Sequence, residues 1–341
     1  MEKMHAVVVY APGDFRYEEV ERPHSGPGEI VLRIGAAGIC AGDRKIYQAH
    51  IPWKLSFPYR VGHEYVGTVV ELGQGAAERT GLALGDHATA EIFAPCRQCY
   101  FCHRGWYHLC DAPGRVFGGW AEYIRLPANA IVWKVPNDLP MDEAVLTEPL
   151  ACAIHGVQLA KISLADTVII SGLGAIGMGM LQIARLQTPR WLIALDIDEN
   201  LCARALQLGA DEAINPTAAD FEQALLARTD GRGADIFIEA SGSVAALQNG
   251  FRVLRKRGRL VVFGVYEREA QLDFNQVGEF KELEIIGGHL SLNTYPLAIK
   301  YLAEKRVNAR AMVTHRFPLK DFATAIQVKG KEASIKTILI P

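Results

Sequence analysis

Four cysteines, Cys96, Cys99, Cys102 and Cys110, stand within the run PCRQCYFCHRGWYHLC. Thiolates separated by two residues on a tight loop converge on one soft, tetrahedral metal, and Zn²⁺ is the usual occupant of a four-thiolate site. The later Cys110 closes the loop into a lobe. Every position of such a centre is filled by protein, so it holds structure and leaves nothing open for chemistry. Disulfides are the competing use of clustered cysteines. No apolar leader precedes the first expected strand, which argues against an oxidising compartment and for the cytoplasm. Seven cysteines occur in all, leaving Cys40, Cys152 and Cys202 outside the lobe.

A second pattern is Gly172-Leu173-Gly174-Ala175-Ile176-Gly177, which fits G-x-G-x-x-G. Alone it is a weak signal, but here a short apolar strand precedes it, a helical run follows, and Asp196 ends the next strand. Glycines in that turn let the backbone approach a pyrophosphate at the unpaired amides of a helix N-terminus. Asp196 would accept hydrogen bonds from the adenosine ribose and repel a 2′-phosphate. Ile197-Asp198-Glu199 follows it with no arginine, so NAD is favoured over NADP. The plain alternative is a strand–turn–helix with a solvated aspartate.

The elements that must carry these residues fall into two kinds. The first third reads as short strands broken by turns: His5–Tyr10, Glu29–Ile39, 62–72 (GHEYVGTVVEL) and a stretch near 121–126. Then strands at Thr167–Ser171, Trp191–Leu195, 235–240 and 259–265 alternate with helical stretches such as Met178–Leu186 and 199–208. That alternation predicts a parallel, doubly wound α/β sheet. A nucleotide-binding segment, residues 151–288, is thus expected to be inserted into a discontinuous β-rich domain of residues 1–150 and 289–341. With 341 residues, half of them apolar, and a net charge of −2, the composition gives no general attraction to nucleic acid or anionic lipid. No apolar stretch reaches the ~20 residues that span a bilayer. A small-molecule partner is the default.

Cys40, His63, Glu64 and Glu148 are ordinary zinc-ligand types, but their spacing alone does not unite them. Resemblance does. Gly38-Ile39-Cys40-Ala41-Gly42-Asp43, Gly62-His63-Glu64-Tyr65-Val66-Gly67, the cysteine lobe, Glu148-Pro149-Leu150 and the glycine loop with Asp196 together resemble the zinc-dependent medium-chain dehydrogenases over nearly the full length. Glutamate at 64 and 148, with Asn293-Thr294-Tyr295-Pro296 and the 313–319 segment, is similar to the sorbitol/polyol branch. The resemblance implies a GroES-like catalytic domain around an inserted Rossmann domain. It implies a catalytic zinc on Cys40, His63 and Glu64, with Glu148 ligating it or holding its water, and a structural zinc in the lobe. Asp43 would orient His63 and fix its tautomer. One thiolate, one carboxylate and a neutral imidazole cancel the charge of Zn²⁺, which remains a Lewis acid able to pull the pKa of bound water toward roughly 7 and to act likewise on an alcohol. The family also implies homodimers or homotetramers.

Three positions depart from the family. Gly42 stands where relatives carry a Ser or Thr proton acceptor, and Lys45 where they often carry a relay histidine. Proton release then runs through water or Lys45, or Lys45 contacts the cofactor ribose or is simply solvated. Where sorbitol dehydrogenases have Arg-Tyr, this chain has Leu290-Ser291 after His289, so His289 and Ser291 become the candidate substrate residues and the polyol is expected to be shorter, such as threitol or erythritol. The expected reaction is NAD-dependent oxidation of a polyol to a ketose. The alternatives are an alcohol dehydrogenase for simple alcohols, or an inactive protein that binds NAD and zinc.

Overall fold

Val, Ile, Leu and Ala fill the strand Ile30–Gly38, and nearly all of its residues are buried. A strand that apolar on both faces belongs at the centre of a packed β structure. In the computed structural model, which describes residues 2–50, 55–218, 221–328 and 334–341, it is the hub of a seven-stranded sheet. The order across that sheet is Val132–Val135, His87–Ala90, Tyr65–Leu72, Ile30–Gly38, Lys336–Ile340, Val313–Pro318, and Tyr123–Leu126 also pairs with the hub. The strand Lys336–Ile340 therefore lies against residues some three hundred positions earlier, in antiparallel register with Gly38 opposite Ile338. Asp14–Glu21, Lys3–Ala11 and Tyr59–Arg60 form a smaller sheet. Ile30, Leu32, Val69, Ile124, Leu126 and Trp120 are among the residues of the common core.

The second unit carries a six-stranded parallel sheet. Its order is Glu212–Ile214, Trp191–Leu195, Thr167–Ser171, Ala234–Glu239, Leu254–Val262, Glu284–Gly287. Numbered along the chain this is 3-2-1-4-5-6, the Rossmann order, with the reversal between Thr167–Ser171 and Ala234–Glu239. The helix Ala175–Leu186 packs on the first two strands and Val244–Val253 on the fourth and fifth. Both Thr167–Ser171 and Trp191–Leu195 have the expected bounds.

The chain forms two compact units, Met1–Glu148 with Tyr295–Pro341, and Pro149–Thr294. The return to the first unit comes after Thr294, later than the expected 288, because two bonds keep the 289–294 segment with the second unit. Thr294 Oγ1 donates to the Ala151 carbonyl at 2.8 Å, and His155 Nδ1 donates to the Leu290 carbonyl at 2.8 Å. The strand expected from Gly62 starts instead at Tyr65. Gly62 has φ +95°, and a Cβ there would sit 2.2 Å from Trp120, so His63 and Glu64 emerge from a turn. Among the described residues no helix is long and apolar enough to cross a membrane.

Candidate metal centre and dinucleotide loop

The turn that ends the hub strand and the turn that precedes Tyr65–Leu72 are adjacent, since Gly38 N donates to the Glu64 carbonyl at 2.8 Å. A Cβ on Gly38 would lie 2.0 Å from Glu64 Oε2, so glycine there makes room for the carboxylate. Cys40 is the N-cap of the helix Ala41–Tyr47, and its amide donates to Asp43 Oδ2 at 2.8 Å. The result is a group of three, Cys40, His63 and Glu64, whose ligand atoms all lie within 4.8 Å of one another. One thiolate, one imidazole and one carboxylate suit zinc and leave a coordination position for an outside oxygen.

Asp43 does not hydrogen-bond His63. Its Oδ1 is 3.9 Å from Nδ1, an ion-pair distance, while its Oδ2 accepts from the Cys40 amide. At that distance Asp43 acts on His63 by charge. Burial alone would push the His63 pKa down, but the bond to Cys40 and the charges of Asp43, Cys40 and Glu148 hold it well above the ordinary value. Glu148, 5% exposed in the first turn of the helix Thr147–Ala160, acts on the group by charge and is not one of the three clustered ligands. Lys45 is half-buried on the same helix as Asp43.

Two residues that sequence reasoning passes over matter here. Lys336 Nζ lies 2.5 Å from Glu64 Oε2, and both side chains are 2% exposed. Burial opposes its charge, yet Glu64, Cys40 and Glu148 raise its pKa, so it is a fixed cation beside the ligand group. Glu91 is 3% exposed and accepts from Trp133 Nε1 at 3.0 Å and the Tyr107 hydroxyl at 3.1 Å. Burial raises its pKa to about 7 against those two bonds, and the charge of Glu148 adds to the rise. Neither residue carries a local motif, and the partner of Lys336 is 272 residues away.

Cys96, Cys99, Cys102 and Cys110 bring four sulfurs within 4.8 Å of one another. The pairs Cys96–Cys102 and Cys99–Cys110 are 4.0 Å apart, close to the ~3.8 Å edge of a tetrahedron with metal–sulfur bonds of about 2.3 Å. Backbone amides of Asp111 and Cys102 lower the Cys99 thiol pKa to about 6, while burial pushes the Cys102 thiol up. All seven cysteines are free of disulfides.

In the second unit Gly172 has φ +92°, and a Cβ on Gly177 would lie 1.7 Å from the Gly172 carbonyl. Gly174 differs: a Cβ there would meet nothing within 4 Å, at the uncapped N-terminus of the helix Ala175–Leu186. That open space beside unpaired amides is shaped for a pyrophosphate. Ala175 and Ile176 form the first turn above it. Asp196 accepts from the Leu173 amide at 2.6 Å and the Asp198 amide at 3.0 Å, one on each oxygen. It thus fixes the turn and keeps lone pairs for ribose hydroxyls. Also in this unit, Ser291 is 4% exposed, and burial and then the nearby His155 lower the His289 pKa.

Residues 26–137 match the alcohol dehydrogenase GroES-like domain and residues 175–304 the zinc-binding dehydrogenase domain. An erythritol/L-threitol dehydrogenase of Mycolicibacterium smegmatis is 40% identical, covering 100% of this chain and 98% of its own length. A sorbitol dehydrogenase of Halalkalibacterium halodurans is 30% identical, with 97% of each chain covered. Among solved structures, a zinc-binding dehydrogenase of Sinorhizobium meliloti bound to NADP superposes with a TM-score of 0.93 over 100% of both chains, at 27% identity.

Proposed function

The chain belongs to the zinc-binding, GroES-like alcohol dehydrogenase family, and on that footing we propose that it oxidises a secondary alcohol of a short polyol, erythritol or threitol, to a ketose with NAD as the hydride acceptor. The observation that carries the reading is the convergence of Cys40, His63 and Glu64 into one open ligand group. The 40% identity to an erythritol/L-threitol dehydrogenase supports the substrate class.

Cys40, His63 and Glu64 hold the catalytic zinc, and Cys96, Cys99, Cys102 and Cys110 the structural one. When bound, the catalytic zinc supplies Lewis acidity that lowers the pKa of the substrate hydroxyl, and NAD takes up the hydride. Lys336 keeps one oxygen of Glu64 engaged, so Glu64 offers the metal only part of its charge. Zn²⁺, Cys40, Glu64 and Lys336 sum to about +1, and the nearby carboxylates of Asp43 and Glu148 subtract from that, so Lys336 keeps the centre from becoming more negative. Glu148 is then an exchangeable or water-mediated ligand. With Gly42 offering no hydroxyl, the substrate proton leaves by water or by Lys45.

Asp196, seated under the Leu173 amide, selects NAD by its charge against a 2′-phosphate. His289 and Ser291 contact the polyol. The protein self-associates as a dimer or tetramer, a reading supported by the sheet-edge strand Glu284–Gly287, with Ile285 39% exposed. A lobe of four thiols placed to hold a metal suits the reducing cytoplasm. A panel of C3–C6 polyols with NAD and NADP, read by absorbance of the reduced cofactor, tests the reading. Erythritol or threitol with NAD should give the highest kcat/KM. Turnover of simple alcohols alone, or preference for NADP, would overturn it.

A further inference from the structure

Glu239 closes the strand Ala234–Glu239 at the carboxyl end of the parallel sheet and is fully buried. Its Oε1 accepts from the Ser241 amide at 2.8 Å, the Gly242 amide at 3.0 Å and the Ser241 hydroxyl. Its Oε2 accepts from the Tyr266 hydroxyl at 2.5 Å and, more weakly, from the Gly242 amide at 3.3 Å. Its main-chain carbonyl accepts from Phe263 and Gly264 at 2.9 and 3.0 Å. One residue therefore binds together the turn that follows its own strand and the turn that follows Leu254–Val262. Space is left for it, since a Cβ on Gly264 would lie 2.4 Å from Oε2.

Ser241, held this way, is the surface on which the dinucleotide turn rests. A Cβ on Gly172 would meet the Ser241 nitrogen and Cβ at 2.7 Å. Gly172 follows the first strand of the sheet and Glu239 ends the fourth, so both lie at the point where strand order reverses, the place where open α/β sheets bind ligands. A carboxylate suits the task because it only accepts, with room for about four donors.

We propose that Glu239 is the positioning residue of the dinucleotide crevice: by fixing Ser241 beneath the Gly172 turn and tying Tyr266 to it, Glu239 sets the affinity for the pyrophosphate-bearing part of the cofactor without touching it. This rests on the reading that the loop binds NAD. A glutamine can keep the three donors on Oε1 and donate its own N–H to the Tyr266 oxygen, whereas a leucine can do neither.

The test is binding of ADP-ribose and NADH, by calorimetry and nucleotide fluorescence, to the wild type, Glu239→Gln, Glu239→Leu, Ser241→Ala and Tyr266→Phe. Glu239→Gln should bind within about threefold of wild type, and Glu239→Leu should lose roughly tenfold or more for both ligands. Zinc content should be unchanged in each. If Glu239→Leu does not fold, Ser241→Ala and Tyr266→Phe carry the test, each weakening both ligands about threefold. A Glu239→Leu protein that loses thermal stability but binds both ligands as wild type overturns the proposal, as do unchanged affinities in the two single-hydroxyl variants. A wild type that binds neither ligand overturns the NAD reading itself.

Discussion

Replacing Lys336 by methionine should tighten zinc binding while destabilising the metal-free protein. At 2.5 Å the Lys336–Glu64 pair attracts by about 7 kcal/mol at an effective dielectric of ~20. Desolvation of two ions at 2% exposure consumes most of that. Removing only the lysine takes a buried counter-charge away from Glu64, at a cost of about 3–5 kcal/mol. Bound zinc offers Glu64 another counter-charge, so in the loaded protein the cost should shrink to about 1 kcal/mol. Linkage requires the difference, on the order of 3 kcal/mol, to reappear as a roughly 100-fold gain in zinc affinity. Urea unfolding with and without chelator gives the two stabilities, and competition with a chromophoric chelator gives the affinity. Lys336→Met with Glu64→Gln should recover most of the metal-free loss. Equal destabilisation in both forms, with zinc affinity unchanged, would refute the idea that this cation acts on the metal centre.

Glu91→Gln should abolish a pH dependence. Between about pH 4.5 and 7 the folded protein keeps the Glu91 proton that the unfolded chain has lost, so wild-type stability falls as pH rises through that window and stays reduced above it. The variant should gain up to about 3 kcal/mol at pH 8 and nothing at pH 4 in urea unfolding; parallel profiles would rule this out. A mild chelator should strip the Cys40–His63–Glu64 metal first, abolishing turnover while circular dichroism is retained. Metal analysis showing that the four-cysteine site empties first would contradict the assignment. Asp196→Ala loses two amide anchors as well as ribose contacts, so its KM for NAD should rise at least tenfold and the NAD/NADP ratio should narrow. An unchanged ratio would mean that discrimination lies elsewhere.

What is legible in the sequence is whatever is encoded locally. The first and last lobe cysteines are 14 positions apart, and Gly172–Gly177 is bracketed by a strand and a helix whose periodicities differ. Thr167–Ser171 and Trp191–Leu195 are visible because fully buried parallel strands are short apolar runs. The 62–64 turn reads as strand because alternation alone reveals neither the positive φ of Gly62 nor the Trp120 ring that leaves no room for a Cβ there. Lys336 carries no local signal, and the pairing of Ile338 with Gly38 across the sheet is what brings it to Glu64. Glu91 and Glu239 are single acids without a motif: Glu91 takes its donors from Trp133 and Tyr107, and Glu239 from the turn just after it and from Tyr266. The boundary expected at 288 falls short because His155 and Thr294, rather than the Gly287-Gly288 pair, decide where the segment belongs.

The sheet order also sets a timetable. The lobe closes between cysteines 14 positions apart, so all four of its ligands are present once Cys110 leaves the ribosome. The other centre has Cys40, His63 and Glu64 early, but the lysine that restrains Glu64 is made 272 residues after it. At about 5–20 residues per second, that is roughly 15 to 50 s of synthesis, most of it spent on the inserted unit. During this interval the Ala37–Gly38 end of the hub strand also lacks its neighbour Lys336–Ile340. Cys40, His63 and Glu64 are thus all made long before the cation that engages Glu64, and the metal ligands and the group that restrains them belong to opposite ends of synthesis.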